Sequence, residues 1–348
     1  MIKTYQKNLK KMQRIMNERE NTPYTMWVKV VALTQMNMRY EREIMIPSDL
    51  SGHPYSLTND LIKDTQKLFE ILLKIKFIES KKESKIKKKS EEKEEKHEEL
   101  FNEIWNRYDK EDFQEYIKRY IKRLKLNNID KLIEGKKCID LGCGNGVTCF
   151  ALSQLGAEKV VGIDYGEKSI EYATKAAKEL GFTNTSFFAR TVYDTKEPDS
   201  QYDFAIQNRV FHHLNDENSA IKEVSRILKK DGSFWYYTDG EGGIQYDLWD
   251  ISVVILREVL TLFIEEVLNS MNVSRNKIAH LLDGMGATYA HTSWDEITNR
   301  LADHGFTNFK RLTGGYDTDC DLDRIEKDAY GKEKFGEGDL RILCQLDK

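Results

Sequence analysis

Two aspartates, three alternating glycines and a pair of histidines are the residues of this chain whose types and spacing can do chemistry. Cys138-Ile139-Asp140-Leu141-Gly142-Cys143-Gly144-Asn145-Gly146 is followed, after one more apolar run, by Asp164. A glycine has no Cβ, so the loop can turn tightly and a ligand can lie against its peptide planes. Helical spacing (Val147, Phe150, Ala151, Leu155) begins directly after the loop, which therefore also presents a helix N-terminus. A carboxylate at the carboxyl end of the next strand, where Asp164 falls, can accept both hydroxyls of a ribose bound at the loop. The spacing is D-x-G-x-G-x-G. It differs from the dinucleotide fingerprint G-x-G-x-x-G, and no lysine or serine follows as a phosphate loop requires. Further along, Gln207-Asn208-Arg209-Val210-Phe211-His212-His213 leaves another apolar run, and an imidazole there titrates in the range a general base needs.

These residues need a scaffold, and the flanking pattern supplies one. Lys137–Leu141 reads as a short buried strand and Lys159–Ile163 as a second, with Asp164 at its end. Thr185–Ala189 reads as strand three, Tyr202–Gln207 as four, and Ser233–Tyr237 as five after a Lys230-Asp231-Gly232 turn. Asn308–Leu312 and Arg341–Gln345 read as strands six and seven. Strands alternating with helices build a parallel, doubly wound α/β sheet. A tight turn in another α/β protein would use the same glycines. The ordered set of Asp140, three glycines, helix, second strand and Asp164 argues against that.

That ordered set resembles the first motif of the class I S-adenosylmethionine-dependent methyltransferases, and the resemblance runs from Phe101 onward with an unfamiliar block inside it. It implies S-adenosylmethionine as cofactor, held at Asp140, Gly142, Cys143, Gly144, Asn145 and Gly146, with Asp164 on the ribose and Tyr165 stacked on the adenine. It implies a seven-stranded Rossmann-like methyltransferase sheet with strand seven antiparallel between five and six, and helix Asn218–Leu228 crossing from four to five. Relatives place an acid and a small residue after strand three; counting back from Asp203 puts Thr191 and Val192 there, with Asp194 three residues on. Thr191 departs from that pattern and leaves the adenine contact to the backbone of Val192. The segment from Tyr202 to Leu214 is similar to the family's fourth motif, which puts Gln207 and Asn208 beside the methionine part of the cofactor. Methyl transfer from a sulfonium is a direct displacement, so the protein must hold acceptor, methyl carbon and sulfur in line and exclude water. In plant O-methyltransferases a histidine placed like His212 serves as base. His212 and His213 are accordingly the catalytic candidates, against a structural role near the pocket.

The rest of the chain is organised around this core. Residues 1–99 read as an N-terminal helical region: Asp60–Ile78 can put Leu61, Phe69, Leu72, Leu73 and Ile75 on one face, and 81–99 is a lysine–glutamate linker. Residues 100–243 read as the methyltransferase core, with Phe101, Ile104, Trp105, Tyr108, Phe113, Tyr116 and Tyr120 on helices that lie over the cofactor in many relatives. Residues 244–304 form a helical insertion between strands five and six, far longer than a crossover needs. Its apolar stretch Ile251–Leu268 must be buried on several sides, as a cap over the substrate or as a homodimer interface. Trp249, Tyr289, His291 and Trp294 are candidates to line the acceptor site, and His291 joins the catalytic candidates. Residues 305–348 complete the core. Alternating Asp317, Asp319, Asp321 and Asp323, with Asp328 beyond, suggest a calcium loop, but Leu322 stands where the turn needs glycine; the expectation is a solvated loop and no metal. Glu337 and Arg341 are expected at the mouth of the pocket.

Composition sets the outer bounds. With 40% hydrophobic residues in 348 the chain can build a core, and no apolar run reaches the length of a membrane span. The first residues lack a signal peptide's apolar middle, and five cysteines form no CxxC pair, which points to free thiols in the cytoplasm. A net charge of -4 offers no field for nucleic acid. The expected function is methylation of an oxygen or nitrogen on a small metabolite. The alternatives are a macromolecular acceptor, RNA or protein, and a non-catalytic paralogue serving as an assembly subunit.

Overall fold

The computed structural model describes residues 1–74, 110–286, 290–316 and 319–347. They sort into two compact units. One draws its described residues from Met1–Leu100, Gly242–Ala287 and Ile325–Gly336, the other from Phe101–Glu241, Thr288–Arg324 and Glu337–Lys348. Residues 75–109, which include the charged linker, Phe101, Ile104, Trp105 and Tyr108, lie outside the described residues, as do Tyr289 and Asp317.

The second unit is built on a seven-stranded sheet: β1 (Lys137–Leu141), β2 (Lys159–Asp164), β3 (Thr185–Ala189), β4 (Tyr202–Asn208), β5 (Leu228–Asp239), β6 (Phe306–Arg311) and β7 (Asp339–Leu346). Their order is β3-β2-β1-β4-β5-β7-β6. Strands β1 to β5 pair in parallel, and β7 runs antiparallel to both β5 and β6. This is the doubly wound Rossmann-like sheet expected. Side chains alternate across it, as a strand's period of two requires. Cys138, Phe204, Ile206, Trp235 and Tyr237 pack into one apolar cluster, with Phe150 and helix Lys110–Leu126. Ile139, Leu141, Ala205, Phe234 and Tyr236 pack into the other, with Ile221, Val224, Ile297 and Leu301.

Strand β5 is longer than its apolar run. It starts at Leu228, opposite Tyr202, and the register then jumps to Ser233 opposite Phe204. Lys229, Lys230, Asp231 and Gly232 bulge outward, with Asp231 at φ 60° and Lys229 Nζ 2.8 Å from Asp203. Their turn chemistry is real, but it interrupts a strand rather than preceding one. Strand β6 begins at Phe306, two residues earlier than its alternation indicates, because Asn308 (φ 56°) sits at a register shift. Helix Trp294–Ala302, placed with the insertion on sequence grounds, buries Ile297 and Leu301 in the sheet's own core.

The first unit is helical. Ile2–Asn17, Pro23–Tyr40 and Pro54–Lys74 combine with Ile244–Leu256, Thr261–Ser270 and Arg275–Gly286. Thr22 and Thr25 form a capping box at the second of these, with Pro23 at its first position. The buried Tyr5 hydroxyl donates to Asp247 at 2.9 Å, and the fully buried Lys334 is held by Asp328 and the Pro47 carbonyl, both at 2.7 Å. The apolar stretch Ile251–Leu268 is two helices, broken where Leu260 turns extended. Breaking it lets each helix choose its own face. Leu262, at 67% exposure, is thereby released to solvent rather than buried as its neighbours suggested.

Candidate active site

The glycine loop joins β1 to helix Val147–Gln154, with positive φ at Gly142 (80°), Gly144 (49°) and Gly146 (86°). At Gly142 the need for glycine is double: a Cβ would also stand 2.4 Å from the Val210 side chain, the residue that leaves β4. A signal not singled out in the sequence is Gly162, inside β2. Its missing Cβ makes room for Phe187 and Cys143, which would otherwise sit at 2.6 and 2.8 Å. The loop thus packs closely on the strand ends, with Gly142 and Asn145 half-buried and Cys143, Gly144 and Gly146 buried.

Asp164 closes this cradle. One carboxylate oxygen accepts the Gly144 amide at 2.8 Å, and the other accepts the Gly166 amide at 2.9 Å. Both bonds fix the carboxylate's plane. Tyr165 follows with 68% of its surface exposed, a ring available for stacking. Val192 is buried, whereas Thr191 uses its hydroxyl to accept the Tyr193 amide at 3.3 Å. Arg190 is anchored: it donates to Thr195 and Glu197 and lies over the Phe188 ring.

Beneath the loop lies a small acidic knot. Asp140 is buried, accepts the Cys149 thiol at 3.5 Å, and is pushed up to about 7 by burial, with the Asp164 charge adding to the rise and the thiol opposing it. Burial pushes Cys143 up to about 11 and Cys149 well above the usual thiol range. All five cysteines are free and buried.

The β4 end is tied down residue by residue. Gln207 is fully buried; its amide donates to the Tyr237 carbonyl at 3.1 Å, and its oxygen accepts the Val210 and Phe211 amides at 3.1 and 3.4 Å. It shapes the turn from within the protein rather than facing the loop. Asn208 donates to Thr148 and accepts the Trp235 indole, each at 3.2 Å, which couples β4 to the helix after the glycine loop. His212 is buried. One ring nitrogen lies 3.1 Å from the Thr238 hydroxyl and the other 2.9 Å from His213 Nε2. His213 is the half-buried member of the pair. The His291 segment joins them: the Ala290 amide donates to the His212 carbonyl at 3.2 Å, and Thr292 bridges to Gly240 beyond β5. Trp294 packs on the sheet's apolar cluster with Arg311 over its ring. Trp249 belongs to the helical unit, where Gly284 admits its ring.

Two expectations are corrected here. Asp319 and Asp321 are not in a solvated loop; both are buried, and they hold arginines. Arg341, expected at the pocket mouth, is completely buried and bonded to Asp319 (2.9 Å), Asp321, Asp339 (3.2 Å) and the Tyr237 hydroxyl (2.9 Å). Arg123, also buried, shares Asp319 at 3.1 Å. A buried guanidinium has to be surrounded by acceptors, and the alternating aspartates are those acceptors. Burial pushes the Asp339 carboxyl up, but Arg341 and Arg209 more than offset this and hold it below the usual range. Among the described residues no His/Cys/Asp/Glu group is arranged to hold a metal ion, and no helix is long and apolar enough to cross a membrane.

Arg209, between Asn208 and Val210, was passed over in the sequence although it stands in the motif. Its φ is 56°, a left-handed conformation that costs an L-residue with a Cβ roughly 1–2 kcal/mol. Its amide bonds the Tyr237 carbonyl at 2.9 Å, and its guanidinium lies over the Tyr237 ring and pairs with Asp239 and Asp339.

Residues 132–275 match the family model described as a methyltransferase domain. An uncharacterized methyltransferase of Bacillus subtilis, YcgJ, is 33% identical over 98 residues, which is 28% of this chain and 38% of that protein. A ubiquinone biosynthesis O-methyltransferase of Pelagibacter ubique is 28% identical over 198 residues, 53% of this chain and 79% of that protein. The chain thus spans under half of the Bacillus relative's own length. The crystal structure of YcgJ covers 64% of this chain and 98% of its own, with a TM-score of 0.44 and 17% identity.

Proposed function

We propose that this protein, whose residues 132–275 match a methyltransferase-domain family model, is a class I S-adenosylmethionine-dependent methyltransferase that methylates an oxygen or nitrogen of a small metabolite in the cytoplasm. The observation that carries the reading is the Asp164 carboxylate. It is fixed by the amides of Gly144 and Gly166 at the carboxyl end of β2, beside a glycine loop in which a Cβ at Gly142 would strike Val210. The residues present fit the cofactor: a glycine loop, a ribose-type acid and an exposed ring beside it. When bound, the cofactor supplies an electrophilic methyl group. The protein's share is to fix the donor, dock the acceptor in line and take up a proton where the acceptor carries one. The His212–His213 pair is the group we assign to that proton. Its Nε2–Nε2 contact requires one ring to donate and the other to accept, and Thr238 orients the buried partner. The oxygen acceptor is supported by the Pelagibacter relative, which is named for O-methylation in ubiquinone biosynthesis.

The test is transfer of a labelled methyl group from S-adenosylmethionine to a metabolite extract, read by mass spectrometry, with Asp164→Ala as control. Losing two charge-assisted bonds to the ribose should weaken cofactor binding by about 2–3 kcal/mol in calorimetry. Binding by that variant like wild type would place the cofactor elsewhere and sink the reading.

A further inference from the structure

We propose that Thr238, Tyr236 and Glu217 form a proton relay that carries the acceptor's proton from the His212–His213 pair to water. The inference rests on the methyltransferase reading above and deepens it. When an O–H or N–H acceptor attacks the methyl carbon, a C–O or C–N bond forms. The sulfur–methyl bond breaks with its electron pair left on sulfur, and the acceptor's proton passes to the imidazole pair. The pair must lose that proton before it can serve a second turnover. His212 is buried at 3% exposure, so a proton held there needs a route out.

The route is a row of polar groups along one face of β5. His212 and His213 join through their Nε2 atoms at 2.9 Å, and His212 Nδ1 lies 3.1 Å from the Thr238 hydroxyl. Tyr236 stands two residues before Thr238 on the same face of the strand, and the Thr238 hydroxyl is a hydrogen-bonding neighbour of its phenol oxygen. The phenol donates to Glu217 Oε1, and Arg300 holds the other carboxylate oxygen. Thr238 and Tyr236 are each 1% exposed, whereas the side chain of Glu217, first residue of its helix, is 14% exposed. The row therefore leads outward. Phe211 and Phe234 pack edge-on against the Tyr236 ring, a setting that phenylalanine would fill equally well. The phenol there has polar neighbours on both sides instead. Donor directions also agree. The Glu217 carboxylate accepts, so Tyr236 donates to it and accepts from Thr238. Thr238 then accepts from His212 Nδ1–H, which leaves His212 Nε2 to accept from His213. With every hydrogen pointing the same way, a proton added to the pair shifts along the row and delivers one to Glu217, which hands it to water.

Nitrogen NMR of the imidazoles in the resting full-length protein tests the donor directions with no acceptor present. His212 should be the Nδ1–H tautomer and His213 the Nε2–H tautomer. The opposite tautomer at His212 would mean that Thr238 donates to it, which overturns the relay and leaves the methyltransferase reading standing. Rapid-quench transfer of a labelled methyl group from S-adenosylmethionine to a metabolite extract tests the transport. Tyr236→Phe keeps the ring and Glu217→Gln keeps the shape, while each interrupts the row. Both variants should make the first product per site within twofold of the wild-type rate and then turn over at least tenfold more slowly. Added imidazole should speed that slow phase. Calorimetry should show cofactor affinity within twofold of wild type, which also reports that the variants are folded. Steady turnover like wild type means that the pair discharges by another route, and a slowed first turnover means that these residues only hold the shape of the site; either result overturns the relay. If wild type methylates nothing in the extract although the cofactor binds, the methyltransferase reading falls and the relay with it.

Discussion

At the scale of single residues, the site works by burying acids to different depths. Asp164 faces the cradle and is held by two amides, whereas Asp140 sits below it, beside two thiols, and is pushed up to about 7 by burial. A carboxyl whose folded value lies above its unfolded value of about 3.9 holds its proton more tightly in the folded chain. It therefore penalises the fold increasingly as pH rises from about 4 to about 7. Asp140→Asn should remove that penalty, and urea unfolding should show the variant losing less stability than wild type between those pH values. Parallel pH dependence in the two proteins would mean that Asp140 is ionised throughout. The histidine pair makes a second claim. Alanine at either His212 or His213 should cut turnover by roughly 10²–10⁴-fold and remove the limb of the pH profile near neutrality, with cofactor affinity unchanged. Unchanged turnover would leave approximation as the whole mechanism. The glycine loop and the strand-end acid were legible because strand, loop, helix and second strand follow one another within Lys137–Asp164. The direction of the Gln207 amide was not legible, because the motif indicates which residues leave β4, not which way an amide turns once Tyr237 offers it a carbonyl.

At the scale of elements, β7 brings the ionic centre into the sheet. Arg341 pairs in register with Tyr237 of β5, and Asp339 with Asp239. Removing the guanidinium leaves Asp319, Asp321 and Asp339 buried without it, which costs about 3–5 kcal/mol by the usual measure of a broken buried pair. Arg341→Met should lose stability on that order in chemical denaturation at pH 7. Asp339 adds a sign: its carboxyl is held low in wild type, so its contribution is present above the ordinary carboxylate range and is lost as pH falls through its folded value. The gap between variant and wild type should therefore narrow in acid, and a constant gap would assign the loss to packing. None of this was visible beforehand, because alternating aspartates read as a wet loop until partners twenty residues away in sequence are known. Strand existence was legible from apolar alternation. The extent of β5 was not, since Lys229 to Gly232 carry turn chemistry inside a strand.

At the scale of the whole molecule, each compact unit is assembled from three stretches of chain. The helices of Gly242–Ala287 group with those of Met1–Leu100, a partnership that amphipathic spacing cannot reveal, since an apolar face does not name what covers it. The proposed cofactor contacts, by contrast, come from the sheet unit. At a hundredfold excess over its Kd, S-adenosylmethionine should stabilise the fold by about 2.7 kcal/mol. In hydrogen exchange the added protection should concentrate at Leu141–Val147, Asp164–Gly166 and Asn208–His213. Protection appearing instead in the helices of residues 1–74 would place the ligand in the other unit.

The position of β7 also bears on how the protein is made. It is the middle partner of β5 and β6 but is translated about 100 residues after β5, which at 5–20 residues per second is a delay of roughly 5–20 s. For that interval the Phe234-Trp235-Tyr236-Tyr237 edge of β5 leaves the ribosome with its backbone unpaired on one side. Such an edge is an invitation to neighbouring nascent chains. Yield of soluble protein should thus depend on translation speed and on holdase chaperones more than on the strength of the finished fold.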